Sequence, residues 1–266
     1  MRIDENIIET KLRLAGLHGK ARFLIYDEVS STNALCKKIA LDGEDEGLVV
    51  IADHQTNGYG RYGRSFYSPS ENGLYMSVLL RPDMSYENSV LITAAAAVAV
   101  AEAVEKCFSV KTNIKWVNDV LIGEKKVCGI LAESGVSDIN GKPDYVVLGI
   151  GVNISLSDAG FPDEIKDSAG CITDIQTVYS REILCAEIVS HFFAYYNDLG
   201  SKKYYSEYIK RLSILGKKVD VTSYGKYKFT ATAVGIDENF ELIVKKDDNT
   251  LCTLSSGEVS ARLSNN

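Results

Sequence analysis

The sequence predicts an α+β fold in two parts: a large unit of mixed strands and helices, followed by a small antiparallel β-barrel. Three observations predict it. As far as residue 215, short apolar runs alternate with stretches of helical period. Within that region YVVLGIGVNI (Tyr145–Ile154) is continuously apolar, as a strand buried on both faces must be. Beyond Gly216 the runs VDVT, YKFTATAV, LIV, TLCTL and VSARL are short and separated by the turns SYGK, DEN and KDDN. We place a short N-terminal extension at 1–20, the large unit at 21–215 and the small barrel at 216–266.

The elements follow in order. Residues 3–16 form an amphipathic helix that Gly16 and Gly19 end, and Ala21–Tyr26 is a strand. Ser31 or Thr32 caps a helix carrying Leu35, Ile39 and Ala40. Asp42–Glu46 is a solvated turn, and LVVIA (Leu48–Ala52) is a buried strand. A glycine-punctuated loop leads into the strand Leu74–Leu80, and the alanine-rich run Val90–Val104 is a buried helix. Strands follow at Asn113–Trp116, Val120–Ile122 and KKVCGILAES, with a turn at GEKK. Ser180–Leu199 repeats its apolar residues at helical spacing.

Composition excludes several classes. A net charge of -7 over 266 residues argues against a nucleic-acid binder, which carries a basic face. The six cysteines show no CxxC pair, so most are expected to be small core residues in a reducing compartment. The three histidines are far apart, and no protein-bound transition metal is expected. Val90–Val104 falls short of the ~20 residues a membrane span needs, and the N-terminus lacks the order of a signal peptide. The expected location is the cytoplasm.

Three segments carry chemistry. Gly58-Tyr-Gly-Arg-Tyr-Gly-Arg64 permits close backbone approach and offers Arg61 and Arg64 to a phosphate or carboxylate. By spacing alone it is equally a surface turn with two solvated arginines. Lys115-Trp-Val-Asn-Asp119 places a lysine between an apolar strand and a turn. That lysine is either an anion-binding point charge or a surface residue beside a packed tryptophan. Asp119 is a turn former or a magnesium-associated carboxylate. Gly149-Ile-Gly-Val-Asn153 ends the buried strand, where Asn153 faces a planar base or makes an Asx turn.

Taken together, SSTN, Gln55 before GYGRYGR, KWVND, KKVCGILAE, GIGVN and the closing SSGEVSAR resemble the biotin–protein ligase family in order and spacing, from about Phe23 to Arg262. The resemblance implies a mixed-sheet catalytic domain of the biotin/lipoate ligase type, followed by an SH3-like barrel. It implies activation of biotin by ATP, with Mg2+ on the phosphates, and transfer to a lysine of a biotin carboxyl carrier domain. The family's biotin-contacting positions fall on Ser31, Thr32, Asn33, Gln55, Gly58, Tyr59, Gly60, Arg61, Lys115 and Gly129. Ser31 and Gln55 are expected at the neutral ureido ring. Its ATP-handling positions fall on Arg61, Arg64, Phe66, Lys115, Asn118, Lys126 and Asn153. Lys115 and Arg61 are the catalytic pair, and Asp119 is the residue nearest a metal role.

Three positions depart from the family pattern. Tyr59 stands for an arginine, so a contact there is expected through its backbone. Val117 replaces a proline, and Phe66 a tryptophan. The loop fits the biotin branch better than the lipoate branch. The roughly 20 residues before the first core strand leave little room for a DNA-binding helix pair. The resemblance therefore implies no DNA and no membrane partner, and leaves monomer and homodimer both open.

Overall fold

The computed structural model describes residues 3–17, 19–135, 141–174, 177–223, 226–255 and 259–263. His18, two residues of the expected SYGK turn (224–225) and residues 256–258 of the closing motif lie outside the described residues.

The large unit is a seven-stranded mixed sheet with helices on both faces. Its strands are β1 (Arg22–Val29), β2 (Leu48–Gln55), β3 (Gly73–Leu80), β4 (Asn113–Lys115), β5 (Asp119–Ile122), β6 (Lys125–Ser134) and β7 (Val146–Asn153). They lie in the order β1-β2-β3-β7-β6-β5-β4. Only β1 and β2 run parallel, and α2 (Thr32–Leu41) makes the crossover between them. β2 and β3 are joined by the glycine-rich loop and β5 and β6 by the GEKK turn. Both pairs are antiparallel, as are β3–β7, β7–β6 and β5–β4.

Strand side chains alternate faces, and the two faces differ. Val49, Ile51, Met76, Val78, Leu80, Val146, Leu148, Ile150 and Val152 point into the main core. That core is roofed by α3 (Ser89–Phe108) and α4 (Ser180–Tyr196), and Ala94 to Ala101 is fully buried along α3. Alanine lets this helix lie close to both sheet and neighbour, which explains a helix apolar all round. On the other face Leu48, Val50, Leu79 and Val147 meet Cys36 and Ala40 of α2. Farther along that face stand Ser77, Gly129, Gly149 and Gly151, and the site forms there.

The N-terminal helix α1 (Glu5–Leu14) is capped by Asp4, whose side chain accepts from the Asn6 N–H. It buries Ile8 and Leu12 in the main core beside α4, so the N-terminal segment is packed into the large unit. α4 stops at Tyr196, short of the expected Leu199. A further helix, α5 (Tyr205–Arg211), was not legible in the sequence. Its seven residues are too few for a periodic signal, and tertiary contact holds it.

The small unit is a five-stranded antiparallel sheet among the described residues. Its strands are β8 (Lys218–Ser223), β9 (Lys226–Ile236), β10 (Leu242–Lys245), β11 (Leu251–Leu254) and β12 (Val259–Leu263), in the order β11-β10-β9-β8-β12. It is fastened to the large unit by Phe240, whose ring stacks on Tyr204 (5.4 Å between centroids) and meets Tyr205 and Tyr208 edge-on. Trp116 Nε1 donates to the Phe240 carbonyl at 2.9 Å, and the Tyr208 hydroxyl donates to the Val117 carbonyl at 3.1 Å. The residues following Lys115 are thus clamped between the two units.

Of the six cysteines, Cys36, Cys128 and Cys185 are buried, whereas Cys107, Cys171 and Cys252 are only partly so. Burial pushes the Cys36 thiol up to about 12, which keeps it neutral and unreactive. No helix among the described residues is long and apolar enough to cross a membrane.

The buried Trp116–Phe240 bond predicts a definite cost. Trp116→Phe keeps an aromatic ring but strands the Phe240 carbonyl, and should lower unfolding stability by about 1–3 kcal/mol in urea denaturation. An unchanged midpoint would show that the clamp contributes nothing.

Candidate active site

A cavity of about 640 Å3 opens on the α2 face of the sheet, within the range typical of small-molecule sites. Its floor is the sheet itself. Gly129 of β6 pairs with Gly151 of β7, and Gly149 lies two residues along on the same face. A methyl group on Gly149 would strike the Asn33 amide, and one on Gly151 would strike the Phe66 ring. One on Gly129 would press on Lys126 Nζ and Phe66. The glycines therefore leave the depth into which Asn33, Phe66 and Lys126 reach.

One wall is the N-terminus of α2. Ser31 caps the helix, accepting from the Ala34 N–H at 3.4 Å. Thr32 and Asn33 are buried and fixed by hydrogen bonds. Gln55 Oε1 accepts from the Thr32 N–H at 2.9 Å and from its hydroxyl at 3.1 Å, while Gln55 Nε2 donates to Ser68 at 3.0 Å. The Ser77 hydroxyl donates to Asn33 Oδ1 at 2.6 Å and stands 2.8 Å from the Thr32 hydroxyl. This compartment offers oriented donors and acceptors without formal charge.

The glycine-rich loop covers the opposite side. It folds back on itself: Gly60 N–H donates to Arg64 O and Phe66 N–H to Gly58 O, both at 2.8 Å. Tyr62 at its tip has φ 60° and is followed by Gly63 at φ 69°, a reversal that glycine eases. The Tyr62 ring is half exposed and lies 5.3 Å from the Arg61 guanidinium and 6.0 Å from that of Arg64. Arg61 also donates to Asn118 Oδ1 at 3.3 Å, which brings the loop to the KWVND turn. The Tyr59 side chain is engaged: its hydroxyl donates to Glu133 at 3.1 Å.

The remaining wall comes from the other end of the sheet. Lys115 on β4 lies opposite Asp119 on β5 in the strand register. Asp119 pairs with Lys126 at 2.7 Å, and Lys126 Nζ lies 6.0 Å from the Phe66 ring centroid. Asn118 is held by its Nδ2 donating to Ile130 O at 2.8 Å. Asn153 donates to Gly170 O at 3.1 Å, tying the end of β7 to a segment that also bonds the Lys126 backbone on both sides.

Ser31, Thr32, Asn33, Gln55, Tyr59, Gly60, Arg61, Arg64, Phe66, Lys115, Asn118, Asp119, Lys126, Gly129 and Asn153 all line this one cavity. Gly58 does not. It lies behind the wall, where an added Cβ would meet Phe66 O, Ser68 Oγ and Gln55 Nε2, so it makes room for the loop root rather than for a ligand. Sequence reasoning missed Glu133, although it lies inside the motif KKVCGILAE. It also missed the 161–169 segment and Lys217 of the small unit, both of which reach the cavity. Among the described residues, no group of three or more His, Cys, Asp or Glu side chains is arranged to hold a metal. Asp119, the expected metal-associated residue, is already paired with a lysine.

Two family models match the chain: Biotin/lipoate A/B protein ligase family over residues 26–153, and Biotin protein ligase C terminal domain over residues 214–262. The bifunctional ligase/repressor BirA of Bacillus spizizenii is 33% identical over 243 residues, covering 85% of this chain and 70% of that protein. The biotin–[acetyl-CoA-carboxylase] ligase of Mycobacterium tuberculosis is 29% identical, covering 97% of this chain and 95% of its own length. Among solved structures, the biotin protein ligase of Aquifex aeolicus in complex with biotin and ATP superimposes with a TM-score of 0.77 at 28% identity. It covers 91% of this chain and 99% of that one. With a seven-stranded sheet, a glycine-floored cavity and relatives of this extent, the chain belongs to the biotin/lipoate A/B protein ligase family.

Proposed function

We propose that the chain is an ATP-dependent biotin–protein ligase, which converts biotin and ATP to biotinyl-5′-adenylate and passes the biotinyl group to a lysine of a carboxyl carrier domain. One observation carries the reading. A neutral, hydrogen-bonding compartment at Ser31, Thr32, Asn33 and Gln55 shares its cavity with five cations, Arg61, Arg64, Lys115, Lys126 and Lys217. The first suits an uncharged ureido ring. The second suits a carboxylate brought against a triphosphate.

The biotin carboxylate is itself the nucleophile, so attack on the α-phosphorus with loss of pyrophosphate needs no covalent group from the protein. It needs two anions held together and the growing phosphoryl charge offset. Lys115 is assigned to bridge the carboxylate and the α-phosphate. Lys126, pressed against the glycine floor and steered by Asp119, is assigned to the same phosphate from below. Arg61 and Arg64 close over the adenylate from the loop, and Phe66 and Asn153 are assigned to the nucleotide. Mg2+ would be held mainly by triphosphate oxygens and water, with Asp119 assigned as the carboxylate beside it; bound there, it would offset phosphate charge.

Some relatives are named ligase/repressors, which raises DNA binding as a second reading. Here α1 spends its apolar residues Ile8 and Leu12 on the main core, which argues against a recognition role for that helix.

Incubation with biotin, Mg-ATP and a carrier domain should give a streptavidin-reactive product; no product with a competent acceptor would overturn the reading. Lys115→Ala should cut biotin-dependent pyrophosphate exchange by roughly 100-fold or more with the circular dichroism spectrum unchanged, and near-normal exchange would remove Lys115 from the mechanism. Arg61→Ala should speed adenylate release more than it weakens biotin binding, because a guanidinium matches a phosphate better than a neutral ring. Gly149→Ala should displace Asn33 and raise the KM for biotin while leaving that for ATP near its original value. Equal KM values for the variant and the parent would show that the Asn33 position is immaterial.

A further inference from the structure

Glu133 lies outside the cavity, yet three donors, two from α2 and one from the glycine-rich loop, converge on its carboxylate. Asn33 Nδ2 donates to Oε2 at 2.8 Å, the Tyr59 hydroxyl donates to the same oxygen at 3.1 Å, and Lys37 Nζ bonds Oε1. Lys37 also reaches the Tyr59 hydroxyl at 3.4 Å and lies 5.8 Å from its ring centroid. The convergence is built by two periodicities. Asn33 and Lys37 are four residues apart on α2, hence on one helix face. Glu133 is four residues beyond Gly129 on β6, hence on the same sheet face as the cavity floor.

The cluster holds the loop at its root. At its tip the loop is held through Arg61 and Asn118, both cavity-lining groups that face an incoming ligand. At its root Tyr59 is tied to Glu133 and Lys37, and neither of those partners lines the cavity. A ligand can therefore occupy the cavity without breaking the root tie. Burial and the facing Glu133 carboxylate push the Tyr59 hydroxyl up, so it remains a donor. Burial works to lower the Lys37 value, but its hydrogen bond and charge attraction to Glu133 outweigh that and raise it, so it remains a cation.

We propose that Glu133, Lys37 and Tyr59 form a latch that positions the glycine-rich loop over the cavity and sets how long the acyl-adenylate is retained. These are positioning residues: they act through the loop and touch no reacting atom. The shared carboxylate also joins the latch to Asn33, so the ring-binding wall and the loop root are fixed by one group. The adenylate readout rests on the ligase reading above; the latch itself also has a ligand-free readout.

The test uses the full chain with Tyr59→Phe, Lys37→Met and the double variant. Amide hydrogen exchange without ligand should rise in residues 58–66 of each variant while β3 and β7 stay protected. In single-turnover assays, adenylate release should quicken about tenfold, the scale of one hydrogen bond to a charged group, with the biotin KM of Lys37→Met within about twofold of the parent. The double variant should fall short of the product of the two single effects, because both donors serve one carboxylate. Unchanged loop exchange together with unchanged release would overturn the latch, as would exchange rising equally throughout the sheet. If the parent chain forms no adenylate, the ligase reading fails, and the loop exchange alone then decides the latch.

Discussion

The constraint on which the rest depends is the absence of side chains on one patch of the central sheet. Gly129, Gly149 and Gly151 leave a patch of β6 and β7 bare on the α2 face, and Ser77 on β3 adds a small polar group beside them. The opposite face of the same strands carries Ile130, Leu148, Ile150 and Val152 and supplies the main core. One sheet therefore does two incompatible jobs, burial on one side and ligand access on the other. Strand alternation lets it do so without a break in the hydrogen-bond ladder.

Everything that enters the cavity is positioned against that bare patch. Asn33 occupies the space over Gly149, Phe66 lies across Gly151, and Lys126 bends over Gly129. Phe66, where the family pattern has tryptophan, keeps a ring in this slot, and its edge-on contact with Tyr75 (centroids 6.4 Å apart) holds it there. The cations come from separate parts of the chain: Arg61 and Arg64 from the loop, Lys115 and Lys126 from the far strands, and Lys217 from just before β8. Within the cavity Lys126 pairs with Asp119. Cations gathered from separate parts of the chain favour an anionic ligand.

The small unit belongs to the same design. Trp116 follows Lys115 directly, and its indole is fixed by the Phe240 carbonyl, while Tyr208 holds the next carbonyl along. Lys217 reaches the cavity mouth from just before β8. The C-terminal sheet thus braces the lysine turn from behind and contributes a cation in front. Its aromatic contacts with Tyr204 and α5 make the attachment apolar and close-packed, with rings 5.1–5.4 Å apart.

By itself the sequence determined what depends on near neighbours. Period-two and continuous apolar runs give the strands, the alanine-rich run gives the buried helix, and the change of grammar near Gly216 precedes β8 at Lys218. The motifs named most of the cavity lining because their residue types suit anions and neutral heterocycles wherever they sit. Tertiary structure decided which of them meet. That Arg61 and Lys115 share a cavity depends on β3 and β7 placing the loop opposite β4, a long-range pairing that no local window contains. The same limit hid Glu133, whose three partners are 74, 96 and 100 positions away in the chain. It likewise hid α5 and the Trp116–Phe240 clamp. A side chain's direction is set locally by its own strand or helix, but its partner is set by the folding of the whole chain.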